Sequence, residues 1–184
     1  MKQQPANWPA FLLDHFPYEK NQTNNICLIT GDSGVGKTTW CQRWLNLARA
    51  AGWQVAGLLS PPVLEQGQKV GIELVDLASG ERRPLAQRRP SEIEANDLIT
   101  KQWWFDTAVL DWGNHVLQQI GTVDLLIIDE LGPLEFERGQ GLQAAFDLLT
   151  AGNYRLAGVV VRPSLIPQAQ QRWPEAQAIL PQRN

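Results

Sequence analysis

One eight-residue stretch constrains this chain more than any other: Gly31, Asp32, Ser33, Gly34, Val35, Gly36, Lys37 and Thr38 in succession. Just ahead of it, residues 26–29 form a short unbroken apolar run, the pattern of a strand covered on both faces in a parallel sheet. Behind it, Cys41, Trp44, Leu45 and Ala48 recur at helical spacing over 37–51, and Gly52 supplies a stop. The expected order is therefore strand, glycine loop, helix. That order aims backbone N–H groups and the positive end of a helix dipole at whatever anion lies in front of them. The eight residues match G-x-x-x-x-G-K-[ST], a pattern that average residue usage places by chance in a chain this long with probability on the order of one percent. Gly31, Gly34 and Gly36 let the main chain curl around a polyphosphate, Lys37 adds a point charge for its β- and γ-phosphates, and the Thr38 hydroxyl is a ligand for Mg²⁺.

A second segment supplies acid. Leu125, Leu126, Ile127 and Ile128 read as a buried strand that delivers Asp129 and Glu130 at its carboxyl end, before Leu131 and Gly132. Alone, this is ordinary core with a solvated end; downstream of a phosphate loop it reads as a metal site. Neighbouring residues on a strand point to opposite faces. Asp129 is thus expected to approach the Mg²⁺ held at Thr38, while Glu130 is directed elsewhere at the same strand end. A carboxylate near the γ-phosphate can align and deprotonate a water for in-line attack, which makes Glu130 the candidate base, with Lys37 as its electrostatic partner in catalysis.

The rest of the chain frames these two segments. Residues 55–59 and 70–77 read as strands with a turn at 65–68 around Gly67, so an antiparallel ribbon over about 60–86 is expected beside or within a parallel sheet, possessing the makings of a flap. Val109, Trp112, Val116 and Ile120 argue a helix, Leu142, Ala145, Phe146 and Leu149 another, and 156–161 a strand, with a further strand at 178–180. Within 88–105, Ser91 and Glu94 suggest one capped turn and Trp103, Trp104 and Phe105 a short buried piece. Residues 1–24 read as an extension packed onto a domain covering 25–184.

Composition narrows the partners. Sixteen Lys and Arg against nineteen Asp and Glu give a net charge of −3, which disfavours bulk nucleic-acid binding. No apolar run reaches the ~18 residues of a membrane span, and the amino terminus lacks a secretory layout. Cys27 and Cys41 read as buried thiols of a cytoplasmic protein. They and His15 and His115 lack the spacing of a zinc site.

Three stretches together, GDSGVGKTT from Gly31 to Thr39, GIELVDLASG from Gly71 to Gly80, and DLLIIDELGPLE from Asp124 to Glu135, resemble the small P-loop nucleoside-triphosphatases whose acidic strand continues as D-E-[IL]-G-P-[ML]-E. The resemblance implies an α/β P-loop fold, a central mostly parallel sheet flanked by helices with a β-ribbon insertion. It further implies Mg²⁺-dependent hydrolysis of ATP, GTP and other nucleoside triphosphates. Residue by residue it marks Gly31 to Thr39 as the phosphate loop and Leu125, Leu126, Ile127, Ile128, Asp129, Glu130, Leu131 and Gly132 as a second nucleotide-contacting segment. Glu135 matches the family's last acid, with a solvated loop position as its bland alternative.

Charge on the transferred phosphoryl group is usually met by an arginine in cis or from a partner. Arg162, at the end of a strand and so at the edge where α/β ligands bind, is the nucleotide-contact candidate; Arg138 and the cluster Arg82, Arg83, Arg88 and Arg89 are alternatives beside a solvated basic face. Three function classes fit: a hydrolase, a small kinase, and a nucleotide-gated binding module. Glu130 favours the first, because kinases exclude the water it would activate.

Overall fold

The computed structural model describes residues 25–89 and 103–181. The extension 1–24 and the capped turn expected at Ser91 and Glu94 lie outside them. The described residues form one nine-stranded sheet. Its parallel part comprises β1 (Asn25–Ile29), β2 (Val55–Leu59), β7 (Val123–Leu131), β8 (Tyr154–Val161) and β9 (Gln177–Ile179), in the spatial order β2-β7-β8-β1-β9. Beyond β2 the sheet turns antiparallel through β4 (Gln68–Asp76), β5 (Arg82–Arg88) and β6 (Trp103–Phe105), with β3 (Pro62–Glu65) paired to β4 alone.

Both faces are covered, as the apolar runs require. Helix α1 (Lys37–Ala50) lays Trp40, Cys41, Trp44, Leu45 and Ala48 on one face, over Cys27, Ile29, Leu125, Ile127 and Val160. Trp44 is fully buried against Gly158 of β8, where an added Cβ would come within 3.2 Å of the indole. The other face carries α2 (Thr107–Gln118) and α4 (Ala144–Ala151) over Leu28, Leu58, Leu126, Ile128 and Val159. Alternate residues of β1 and β7 therefore serve two separate cores, which is why 26–29 of β1 and 125–128 of β7 are unbroken apolar runs.

Several expectations change in detail. Between the expected strands a further one, β3, starts at Pro62, on an edge where the missing proline N–H costs no ladder bond. The arginine-rich segment after Gly80 is itself a strand, joined to β4 by a turn in which Asp76 accepts from Ala78 and Ser79 amides at 2.9 and 3.4 Å. The aromatic triplet at 103–105 is an edge strand with Trp104 42% exposed, not a buried piece. In α2 the buried face is Val109, Leu110, Gly113 and Leu117, with Trp112 and Val116 only flanking it. The stripe turns because Gly113 lets the helix approach: a Cβ there would lie 2.7 Å from Leu74 and 2.8 Å from Leu142. Cys27 and Cys41 are free and buried, as expected, and burial raises both thiol pKa values.

Candidate active site

β1, β7 and β8 all end at one edge of the sheet, and the glycine loop follows β1 there. Gly31, Gly34 and Gly36 adopt φ of +135°, +80° and +101°. At Gly34 and Gly36 a Cβ would meet nothing within 4 Å. Backbone conformation, not crowding, is therefore what demands glycine. The loop leads into α1 without a side-chain cap, and the first-turn amides of Lys37, Thr38 and Thr39, which have no intrahelical acceptor, find none elsewhere among the described residues. The Lys37 ammonium folds back into the loop and donates to the carbonyls of Gly31 at 2.7 Å and Asp32 at 2.9 Å.

Asp129 and Glu130 have different surroundings. Asp129 is 2% exposed and accepts from the Ser60 amide at 3.2 Å. Burial pushes its carboxyl up to about 6, against the opposing pull of the Ser60 amide, the Thr38 hydroxyl and the Lys37 ammonium; Glu130 adds to the rise. Glu130 stands half-exposed and takes a hydrogen-bonded ion pair from Arg162 Nε at 2.8 Å. The pairing of β7 with β8 shifts register between Ile128 and Leu131, so the acids sit where the regular ladder breaks.

The structure thus brings together Lys37, Thr38, Asp129, Glu130 and Arg162. The other arginines have the following surroundings. Arg82 pairs with Glu73 at 3.0 Å, Arg83 pairs with Glu81 at 2.7 Å and lies over Trp112, and Arg88 and Arg138 are exposed. Leu125, Leu126, Ile127, Ile128 and Leu131 are fully buried core, which leaves the strand's end to face a ligand.

Glu135 is not a solvated acid. It is 8% exposed, on the short helix α3 (Pro133–Phe136), and accepts from the amides of Gly132 at 2.8 Å and Leu142 at 3.0 Å. Desolvation raises its pKa while those two amides lower it. Its carboxylate ties the turn after β7 to the start of the next loop, and Gly141 is glycine because a Cβ would strike that carboxylate. Two further residues escaped the sequence. Ser60 contributes only a backbone amide, which no motif can reveal. Lys69 of β4, whose pKa desolvation lowers, lies within electrostatic reach of Glu130, Asp129, Arg162 and Lys37; its position depends on how the ribbon bends.

A family model described as NTPase matches residues 26–175, from β1 to the segment before β9. The chain belongs to this NTPase family. Nucleoside-triphosphatase THEP1 of Methanopyrus kandleri is 30% identical over 110 residues, 60% of this chain and 59% of that protein. The protein of the same name from Saccharolobus solfataricus is 33% identical over 110 residues, 59% of this chain and 61% of its own length. The matches thus span about three-fifths of these two relatives. Among solved structures, a human cancer-related nucleoside triphosphatase superposes with a TM-score of 0.64 at 22% identity, covering 87% of this chain and 90% of that one. THEP1 from Aquifex aeolicus gives 0.57 at 17% identity, covering 84% and 88%. This NTPase family member shares their fold.

Proposed function

We propose that this member of the NTPase family is a magnesium-dependent nucleoside-triphosphatase, hydrolysing ATP, GTP and other nucleoside triphosphates to the diphosphate and phosphate. The observation that carries the reading is the meeting of two segments far apart in sequence: Asp129 buried beside Thr38, and Glu130 next to it at the mouth of the glycine loop. In this reading the first-turn amides and Lys37 hold the β- and γ-phosphates. Lys37 exchanges the carbonyls of Gly31 and Asp32 for phosphate oxygens.

A hydroxyl and a buried carboxylate are hard oxygen donors, and a carboxylate kept from water is one that gains from a divalent cation. Thr38 and Asp129 thus fit Mg²⁺, and they would hold it with phosphate oxygens and water completing its shell. When bound, the ion neutralises charge on the phosphates. Glu130 orients a water and accepts its proton as the water oxygen bonds to the γ-phosphorus. The bridge bond from that phosphorus to the β-phosphate oxygen breaks, and the diphosphate leaves with the bridging oxygen. The names of the relatives, nucleoside-triphosphatases without a stated base, support broad base tolerance. The same proposal takes residues 25–184 as one domain with the ribbon at about 60–86 as its insertion and 1–24 as an extension, and puts the protein in the cytoplasm, where two free buried thiols are at home. Among the described residues no helix is long and apolar enough to cross a membrane.

Phosphate release from ATP, GTP, CTP and UTP, with Mg²⁺ and with a chelator, tests this. All four are expected to turn over with kcat/KM values within about tenfold of one another, and removal of the metal is expected to stop release. Tight triphosphate binding without phosphate release would replace the hydrolase by a nucleotide-gated binding module.

A further inference from the structure

β4 pairs with β2 only through Leu58 with Asp76 and Leu59 with Val75. Residues 68–74 therefore run on past the end of β2, on the edge where the acids lie, partnered by β3 and β5. A tight turn closes this ribbon, with Gln66 at φ +49° and Gly67 at φ +79°. Register shifts at Val63/Leu64 and at Ile72/Glu73 bend it, as bulges bend strands beside functional sites. Two residues beyond the turn stands Lys69, with Glu130, Asp129, Arg162 and Lys37 in electrostatic reach.

Lys69 forms no ion pair among the described residues; its ammonium rests over the Trp103 ring, 4.8 Å from the centroid. Arg162, the cation nearest Glu130, already donates to that carboxylate at 2.8 Å. A triphosphate in the loop brings several negative charges to this edge, and its transferred phosphoryl group still needs a cation.

We propose that Lys69, delivered in cis by the bent ribbon, contacts the γ-phosphate oxygens and stabilises their charge in the transition state, leaving the Trp103 face to do so. The proposal rests on the hydrolase reading above. Lys69 is an exposed residue on the part of β4 that runs past the end of β2, on the edge where the acids lie.

The test uses the full chain with Mg²⁺ and ATP and compares Lys69→Ala and Lys69→Arg with the wild type. Lys69→Ala is expected to lower kcat by roughly 10²- to 10³-fold with KM within about threefold, and Lys69→Arg to recover most of that loss. Affinity for ADP with aluminium fluoride should fall in Lys69→Ala while affinity for ADP alone holds; a lysine that merely props the ribbon would change both together. Wild-type kcat in Lys69→Ala, or equal losses for the two ligands, overturns the proposal. If Glu130→Gln stops turnover while Lys69→Ala does not, the inference falls and the hydrolase reading stands. If the wild type releases no phosphate, both fall.

Discussion

Replacing Glu130 with Gln is expected to slow phosphate release by roughly 10²- to 10⁴-fold while nucleotide affinity stays within a few fold, the range of a lost general base. Gln keeps the shape of the side chain and an oxygen that can accept from Arg162 Nε, so the local packing has no reason to move. What it cannot do is take a proton. The ion pair matters here. Both partners are well exposed, at 34% and 56%, so the contact is worth little to stability and can open when a triphosphate arrives. Rapid-mix measurement of single-turnover phosphate release, paired with affinity for a non-hydrolysable ATP analogue, separates the two effects. Equal losses in binding and turnover would make Glu130 a structural acid.

Asp129→Asn is expected to have two effects of opposite sign. Turnover should drop by at least about 10²-fold, because the metal loses its carboxylate. The metal-free fold should become more stable at neutral pH. Folding raises the Asp129 carboxyl from 3.8 to about 6, so the folded state holds a proton that the unfolded state releases. The ionised group therefore costs stability above about pH 6, and that cost fades as pH falls from about 6 to about 4. The shift of about two units corresponds to roughly 3 kcal/mol. Asn removes the charge and keeps the acceptor for the Ser60 amide. Denaturant unfolding at pH 8 without metal should therefore place Asp129→Asn above the wild type, with the gap closing toward pH 4. Mg²⁺ added alone should stabilise the wild type more than the variant. A variant that unfolds more easily at every pH would mean that Asp129 is a packing group and not a stored metal ligand.

The glycine loop and the acidic strand were legible because each has a sequence pattern that physics ties to one backbone: positive φ at Gly34 and Gly36, and two-sided burial along β7. Asp129 and Glu130 differ in burial and partners at a break in the β7–β8 ladder, a local irregularity that strand alternation does not describe. Arg162 could be located because a strand's carboxyl end is a place, not a contact. Half of the role of Glu135 was open to reading, since an acid three residues after the N-cap Gly132, with Pro133 at the first helical position, is a helix-start pattern; its bond to the Leu142 amide seven residues on has no such signature. Lys69 was illegible for a different reason. Its neighbourhood is set by two register shifts, and a shift of one residue leaves the apolar pattern of so exposed a ribbon almost unchanged.

The central claim is that main-chain amides of the glycine loop and of the first turn of α1 hold a triphosphate beside Asp129. Titrating the ¹⁵N-labelled protein with Mg²⁺ and a non-hydrolysable ATP analogue, and following each backbone amide by NMR, tests it most directly. The largest shifts are predicted at Gly34, Gly36, Lys37 and Thr38, with a second group at Ser60 and Asp129. Saturable binding that leaves the loop amides unmoved, with shifts concentrated elsewhere on the sheet, would contradict it.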